Sequence, residues 1–458
     1  SHPEAKEQVL STLNKDGSRR WMRPQVSRGR FYRARLILGW LLIVLFVGIP
    51  FVTINGKPMI LLNVAEREFT FFGTTFLPTD TLFLMLLMLG IFVSIFLITA
   101  VFGRAWCGWG CPQTVYMELL FRPLEKWIEG GRTQQLKLDR QGPNFRRVVK
   151  YFVFGLISVA LANVFLAYFV GVDTLALWML GSPLNHPTGF AIVAVTSAMV
   201  FIDFAYFREQ MCTIACPYAR LQSALLDKRS LIVGYDVARG EPRGKGKTPD
   251  DRKALGDCID CKACVVTCPT GIDIRNGLQM ECIACTQCID ACDDIMTKVG
   301  KPLGLIRYTS QANLESGTQN RLLRPRVIIY SVVLVGLVSA LVLGLNRRES
   351  ADVTILRNIG APFSLTATGE IQNQVRIKIT NRSAEPANYT LSVPQPQSVQ
   401  FIAPINPLPV QPGETESTSV FVVAPKGLFN DGKLDVTLRV TDGAAFTSDN
   451  RYHLLGPR

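Results

Sequence analysis

CIDCKACVVTCP, residues 258–269, is the stretch that most constrains this chain, because it places four cysteines and a proline within twelve residues. A second stretch, CIACTQCIDAC at residues 282–292, repeats the spacing of two, two and three intervening residues. The eight cysteines are Cys258, Cys261, Cys264, Cys268, Cys282, Cys285, Cys288 and Cys292. So dense a set predicts metal ligation rather than a disulfide framework.

The spacing is the one that bacterial two-cluster ferredoxins use to hold iron–sulfur clusters. Gaps of two residues allow tight turns, so three cysteines of one run bind one cluster and the fourth reaches the other cluster. We therefore predict two [4Fe–4S] clusters, one held by Cys258, Cys261, Cys264 and Cys292, the other by Cys282, Cys285, Cys288 and Cys268. Asp293 stands where the pattern has a second proline. Structural zinc is the alternative, but two complete runs favour clusters.

The overall composition is that of a membrane protein. Mean hydropathy is +0.22 and only 19% of the 458 residues are charged. The apolar residues form blocks long enough to cross a bilayer, which takes about 20 residues. The five predicted spans are Leu36–Gly56, Thr81–Gly103, Tyr151–Val172, a run from near Thr188 to about Phe207, and Val327–Asn346.

The distribution of positive charge predicts how the spans are oriented. Lysine and arginine are dense in Arg19–Arg35 and in the loop Arg104–Lys150, whereas Gly171–Thr188 has neither. The positive-inside rule then places the N-terminus and the cysteine-bearing loops in the cytoplasm and the C-terminal tail in the periplasm of a bacterial inner membrane. The rule also explains the net charge of +13 without a nucleic-acid partner. Asp203 lies inside the fourth span, where a carboxylate is costly, and we expect it to pair with Arg208.

Two further cysteine pairs indicate an internal duplication. WCGWGCP at residues 106–112 and CTIACP at residues 212–217 each follow two spans and share a C-x3-C-P motif. Both copies therefore face the same side, and a pseudo-two-fold axis along the membrane normal could bring their four cysteines together. These are Cys107, Cys111, Cys212 and Cys216. They could bind copper, hold a further iron–sulfur cluster or act as dithiols.

Local geometry around the first motif follows from its proline. In a helix, Cys107 and Cys111 would share one face, one turn apart, and Pro112 would push Cys111 out of helical geometry. The segments Thr114–Trp127 and Tyr218–Lys228 that follow the two motifs have apolar residues at helical spacing. They could lie in the membrane interface or pack on the neighbouring domain.

The scarcity of histidine and the lack of a dinucleotide-binding motif limit which redox groups the protein can bind. The three histidines, His2, His186 and His453, are too few for a chain of membrane haems with paired axial ligands. The sequence contains no dinucleotide-binding glycine fingerprint, so electrons come from a separate, unknown donor or from quinol. The charged stretch Ala238–Lys253 has no complete phosphate-binding loop and is interpreted as a tether.

The composition changes sharply after the fifth span. Residues 351–458 contain short alternating runs such as NQVRIKIT and KLDVTLRV, broken by turn signals such as QPGE and NDGK. About seven strands at this spacing predict an immunoglobulin-like sandwich, which here lacks cysteine and hence the disulfide of antibody domains. We expect this domain to dock a partner or to stabilise the protein.

The predicted fold class is a multidomain membrane protein: an α-helical transmembrane domain of five spans with a two-span internal repeat, a bacterial two-[4Fe–4S] ferredoxin-like insert, and a C-terminal immunoglobulin-like β-sandwich. The predicted segments are an N-terminal cytoplasmic region 1–35, a membrane domain 36–237, a charged linker 238–257, a ferredoxin-like domain 258–310, a connector 311–326, the fifth span 327–346 and a periplasmic domain 351–458.

The chain closely resembles the cytochrome c oxidase accessory protein family, the FixG/CcoG/RdxA group. The resemblance lies in the order of its parts, which are WCGWGCP, CTIACP, CIDCKACVVTCP and the immunoglobulin-like tail. The resemblance covers essentially the whole chain. It implies an oxidoreductase that reduces Cu(II) to Cu(I) for assembly of the cbb3-type oxidase, with catalysis at Cys107, Cys111, Cys212 and Cys216. It also implies copper ion as substrate, and a copper chaperone, copper transporter or oxidase assembly factor as partner, besides membrane lipid.

Two other functions stay open at this point. A quinol-linked electron conduit to a periplasmic reductase would use the same C-x3-C-P and ferredoxin parts. Two features favour the copper function over the quinol-linked conduit. The chain has the immunoglobulin-like tail, and no flavin-bearing outer domain is recognisable in it. A non-catalytic assembly scaffold with structural clusters is the third possibility.

Overall fold

The computed structural model describes residues 11–457 except for 15, 17, 55–56, 65–67, 73, 77–79, 143, 247–253, 318–323, 347–348, 358–360, 367, 384 and 445. The longest stretches outside the described residues lie in three of the predicted segments. These are 1–10 of the N-terminal region, 247–253 of the charged linker and 318–323 of the connector. The chain divides into two compact units, Ser1–Thr74 with Leu84–Ala340, and Thr75–Phe83 with Leu341–Arg458.

The five predicted membrane spans are confirmed as helices long and apolar enough to cross a bilayer. They are Arg30–Phe51, Thr81–Phe102, Phe145–Val170, Pro187–Phe207 and Pro325–Asn346. Their starts follow ordinary helix chemistry. Asn144 caps the third helix by accepting a hydrogen bond from the Arg146 amide, and Pro187 and Pro325 open the fourth and fifth, where a missing N–H costs nothing.

The second and fourth membrane helices end in the same way, as a duplication requires. A residue with positive φ, Gly103 (φ +58°) or Arg208 (φ +52°), stops each helix four residues before the first motif cysteine. A short helix then carries that cysteine, Ala105–Trp109 in one half and Met211–Ala215, in π geometry, in the other. The second cysteine has extended backbone, and the next helix begins at the motif proline.

Shorter elements connect these helices. The first motif is followed by Pro112–Tyr116, Met117–Phe121, Arg122–Glu129 and Arg132–Gln141, and the second by Pro217–Leu225. Other helices are Val172–Leu180, Pro183–Asn185 and Gln311–Ser316, and short strands lie at Thr53–Ile54, Lys57–Pro58, Ile60–Asn63, Glu68–Phe71 and Thr74–Phe76. Val115, Leu119 and Phe121 are buried, so the segment after the first motif packs inside the protein.

The ferredoxin-like insert begins earlier in the chain than the predicted boundary at residue 258. Strand Ile232–Tyr235 pairs antiparallel with Ile306–Thr309, closing the insert at both ends. Its helices are Val237–Gly240, Ala263–Val266, Ile274–Asn276 and Gln287–Val299. The described part of the linker is also bound rather than a free tether, because the Gly244 amide donates to the Cys258 carbonyl (3.0 Å) and Arg239 pairs with Asp257 (2.6 Å).

The C-terminal residues form the predicted sandwich, with nine strands among the described residues rather than about seven. One sheet has the order Gln400–Ile402, Thr415–Ala424, Ile371–Asn381, Ala351–Arg357, with Ser364–Leu365 also pairing with Ile371–Asn381. The other has the order Leu408–Val410, Ala387–Gln395, Lys433–Thr441, Thr447–Leu455. Alternating side chains such as Val375, Ile377 and Val420 fill the space between the sheets.

A buried ion network joins the first motif's helices to the rest of the first unit. Glu125, 2% exposed, accepts from Arg208 at 2.9 Å through both oxygens, and also pairs with Arg23 (2.6 Å) and Lys150 (3.3 Å). The expected Asp203–Arg208 pair is therefore wrong. Asp203 instead accepts a hydrogen bond from the Gln113 amide at 3.1 Å, because Glu125 offers Arg208 a bidentate partner.

Glu125→Gln is predicted to destabilise the protein by about 3 kcal/mol, because it leaves three buried cations short of one carboxylate. Burial raises the pKa of Glu125, but Arg208, Arg23 and Lys150 lower it further, so the net pKa lies well below 4.5. Its stabilising contribution is present above that ordinary value and is lost as pH falls. Thermal unfolding in detergent at pH 7 and pH 4 measures both effects. Asp294→Asn, which breaks the exposed pair with Lys298, should change little.

Candidate metal centres

Four predicted ligands of one cluster line a single cavity in the ferredoxin-like insert. Cys258, Cys261, Cys264 and Cys292 border a cavity whose other walls are mainly apolar, with Met296 and Leu305 among them. Cys261 is exposed, whereas the other three are buried. This cavity, called the outer cavity here, therefore reaches the protein surface at Cys261.

The four predicted ligands of the other cluster line a second cavity. Cys268, Cys282, Cys285 and Cys288 border this second cavity, together with Cys264, which lies on the wall between the two cavities. The remaining lining is almost wholly apolar. This space is called the inner cavity. Each cavity is thus lined by the four cysteines that the spacing predicted to share a cluster. The assignment of each cysteine as a ligand stays a prediction.

The two cysteine loops have the same backbone, which explains how short sequences place three thiols around one space. Asp260 and Lys262 in the first loop have positive φ, and so do Ala284 and Thr286 at the matching positions of the second. Left-handed residues turn consecutive amides toward a common point and so make an anion-binding concavity. The amide of Ala284 accordingly faces the Cys282 thiol.

Binding of a metal centre in either cavity requires the cysteine thiols to lose their protons. Burial raises the pKa of Cys282 to about 11 and that of Cys285 to about 12, so these thiols lose their protons on binding a metal centre.

The four cysteines of the two C-x3-C-P motifs also lie together, as the duplication predicted. Cys107 and Cys212 pack in one apolar group. Burial, and then the neighbouring Cys111, Cys107 and Cys216, together raise the pKa of Cys212 to about 12. This set is called the motif quartet. The helix break predicted at Pro112 is confirmed, because the first helix ends at Trp109, Cys111 has extended backbone and the next helix begins at Pro112.

Each half of the duplication also reaches across to the other. Gln113, beside the first motif's proline, donates to Asp203 and to the Arg208 carbonyl, both at 3.1 Å. Gln222, after the second motif, contacts Cys107 at 2.9 Å. These cross-contacts fix the separation of the two halves, and sequence reasoning missed them. The only sequence signal for them is the 105-residue offset between Cys107 and Cys212, which aligns the two halves.

The motif quartet lies against the inner cavity. A Cβ on Gly108 would meet the Cys285 amide nitrogen at 2.8 Å and the Ile283 carbonyl oxygen at 2.6 Å. The WCGWGCP loop therefore touches the backbone that forms the cavity wall. Trp109 donates to the Tyr308 hydroxyl (2.8 Å), which donates to the Ala284 carbonyl (3.2 Å). Only glycine permits this approach.

Comparison with known protein families supports the same division of the chain. Residues 207–311 match the family described as a 4Fe-4S dicluster domain, and residues 84–130 match the family described as a 4Fe-4S binding domain. Residues 341–457 match the family described as an IG-like fold at the C-terminal of FixG. The match over residues 84–130 covers Cys107 and Cys111. The match over residues 207–311 covers Cys212, Cys216 and all eight ferredoxin-type cysteines.

Three relatives resemble the chain over most of its length. Nitrogen fixation protein FixG of Rhizobium meliloti (strain 1021) is 31% identical over 94% of this chain and 91% of its own. Protein RdxA of Cereibacter sphaeroides is 36% identical over 80% of each chain. Protein RdxB of the same organism is 35% identical over 84% of each chain. With its two 4Fe–4S domains, five apolar helices and immunoglobulin-like tail, the chain belongs to the FixG family of membrane-bound iron–sulfur electron-transfer proteins.

Proposed function

We propose that this protein is a membrane-bound oxidoreductase that reduces Cu(II) to Cu(I) for assembly of the copper centre of a cbb3-type cytochrome c oxidase. The observation that carries the proposal is the contact between the motif quartet and the inner cavity. Cys212 packs against the buried group that contains Cys107 and Cys285, so the motif quartet adjoins the wall of the inner cavity.

The two cavities fit resident [4Fe–4S] clusters. Cys258, Cys261, Cys264 and Cys292 would hold one, and Cys268, Cys282, Cys285 and Cys288 the other. When bound, such clusters accept and release single electrons. The chain's own contribution is to keep both sites in apolar surroundings and to separate them by the thin wall that includes Cys264.

The motif quartet supplies the chemistry that a Cu(I) product needs. Thiolates are soft ligands and favour Cu(I) over Cu(II), so a four-cysteine site stabilises the reduced ion. The reaction Cu²⁺ + e⁻ → Cu⁺ consumes one electron per copper and transfers no proton to or from the metal. The match of residues 84–130 to a 4Fe-4S binding domain supports an alternative occupant of the motif quartet, a further iron–sulfur cluster that Cys107, Cys111, Cys212 and Cys216 would hold.

Electron entry is proposed at the outer cavity. Cys261 is exposed, and exposed Lys262 and Arg243 adjoin it, so a soluble one-electron donor can approach this side of the insert. The nearby carboxylates Glu241, Asp260 and Asp273 are paired with Arg243 or Arg275, which offsets their negative charge. A quinol would instead have to approach from the membrane helices.

The proposed setting is a bacterial inner membrane with the insert in the cytoplasm and the sandwich domain in the periplasm. The positive-inside rule supports this orientation. A copper transporter or chaperone would deliver the ion, and an oxidase assembly factor would receive it. The sandwich domain would dock that periplasmic partner.

Reduced, anaerobic full-length protein is predicted to be reoxidised by Cu(II), with one Cu(I) formed per electron and trapped by a Cu(I)-specific chelator. Replacing Cys107, Cys111, Cys212 and Cys216 together by serine should slow this at least about 100-fold, because the soft site next to the inner cavity is lost. Stopped-flow absorbance follows the reaction. The eight-cysteine clusters should keep their spectra in the variant, which controls for folding.

Other outcomes of the same experiment separate the alternatives. Clusters that copper does not reoxidise would overturn the copper function. Rapid reoxidation by a quinone, without reaction with Cu(II), would favour the quinol-linked conduit. Clusters that neither oxidant reaches would favour the scaffold.

Gly108→Ala is predicted to slow Cu(II)-driven reoxidation about tenfold, because its Cβ would overlap the Cys285 backbone and push the motif loop away. The cluster spectra should be unchanged. Gly155→Ala is the matched control, since a Cβ there meets nothing within 4 Å. An unchanged rate in Gly108→Ala would show that electrons do not pass from the inner cavity to the motif loop.

A further inference from the structure

Gln222 is a fully buried amide whose polar atoms are all engaged at the motif quartet. It is 0% exposed and lies on the helix Pro217–Leu225 that follows the second motif. The Cys107 thiol donates to its Oε1 at 2.9 Å. Its Nε2 donates to the Tyr218 hydroxyl at 2.6 Å and to Thr99 Oγ1 at 3.3 Å. A buried glutamine is costly unless its hydrogen bonds are satisfied, and these are.

The duplication shows that this amide is specific to one half of the site. The two motifs are related by the 105-residue offset from Cys107 to Cys212, which pairs Gln222 with Met117. Met117 is buried and lines a cavity that Cys212 also lines. One half therefore presents an apolar thioether where the other presents an amide. Packing alone does not require the amide.

The contact must change when Cys107 binds a metal. A ligating cysteine is a thiolate with no proton to donate, and Oε1 at 2.9 Å would then face a negative sulfur. A half-turn about the Cγ–Cδ bond exchanges Oε1 and Nε2, so that the amide donates to the thiolate. Tyr218 permits both orientations, because its hydroxyl can accept from Nε2 or donate to Oε1.

We propose that Gln222 is a positioning residue that donates a hydrogen bond to the Cys107 thiolate, holds that ligand in place and raises the reduction potential of the centre at the motif quartet. Reduction adds negative charge that is shared by the ligating sulfurs. A donor to one of them therefore stabilises the reduced form more than the oxidised form. The proposal rests on the proposed function in one respect, that Cys107 is a ligand of a redox centre.

The test is an anaerobic redox titration of the full-length protein, followed by electron paramagnetic resonance and absorbance. The quartet's centre is the signal that disappears when all four motif cysteines are replaced by serine. Gln222→Met copies the residue at the matching position of the other half, and Gln222→Glu keeps the shape but places a carboxylate beside the sulfur. Gln135→Met, at a buried glutamine on the helix Arg132–Gln141, is the control for losing a buried amide.

In Gln222→Met the equilibrium constant for reducing this centre should fall about tenfold, equivalent to about 59 mV for one electron. Gln222→Glu should lower it further, and Gln135→Met should leave it unchanged. A quartet signal whose potential is the same in wild type, Gln222→Met and Gln222→Glu would overturn the inference and leave the proposed function standing. If the four-serine variant loses no signal, the motif quartet holds no resident redox centre and the inference is overturned, whereas the proposed function is tested separately by Cu(II)-driven reoxidation.

Iodoacetamide labelling of the metal-free protein provides a second readout, because it does not depend on a loaded centre. Removing the acceptor for the Cys107 thiol should free its side chain and increase the labelling rate at Cys107 in Gln222→Met. The rate at Cys212 should be unchanged. Equal labelling of Cys107 in wild type and variant would show that the amide does not position the thiol.

Discussion

The backbone contact between Gly108 and the Cys285 loop is the constraint on which the arrangement of sites depends. A glycine at this position lets a loop at the end of a membrane helix touch the wall of the inner cavity. Arg35 holds the same loop by donating to the Gly108 carbonyl at 2.9 Å, and Trp109 ties it to Tyr308. Any side chain at residue 108 would separate the membrane-edge thiols from the iron–sulfur insert.

The buried ion network holds the two halves of the motif region to each other. Glu125 belongs to the helix that follows the first motif, whereas Arg208 stands before the second. Such a network is weak support for stability in itself, since apolar groups could replace it. The network matters more for the path of the chain than for stability. The bidentate Arg208–Glu125 contact fixes the direction in which the chain enters the second motif, just after the turn at Arg208, where φ is positive.

The duplication is symmetric in backbone and asymmetric in chemistry. Gly103 and Arg208 both have positive φ, and Pro112 and Pro217 both begin helices. Yet Gln113 corresponds to Tyr218, and Met117 to Gln222. Equivalent backbone positions therefore surround the motif quartet with different polar groups. A site built this way can hold its ligands symmetrically while treating one sulfur differently from the others.

The sequence by itself determined the five membrane helices, the sandwich domain and the cysteines that line each cavity of the insert. These are set by local patterns: apolar run length, alternation of side chains, and two-residue gaps that impose tight turns. Only the tertiary structure decided the partner of Arg208, the early start of the insert at Ile232–Tyr235, and the contacts of Gly108 and Gln222. Those contacts join residues far apart in the chain, and a buried polar side chain takes the partner that packing brings within reach rather than the nearest one in sequence.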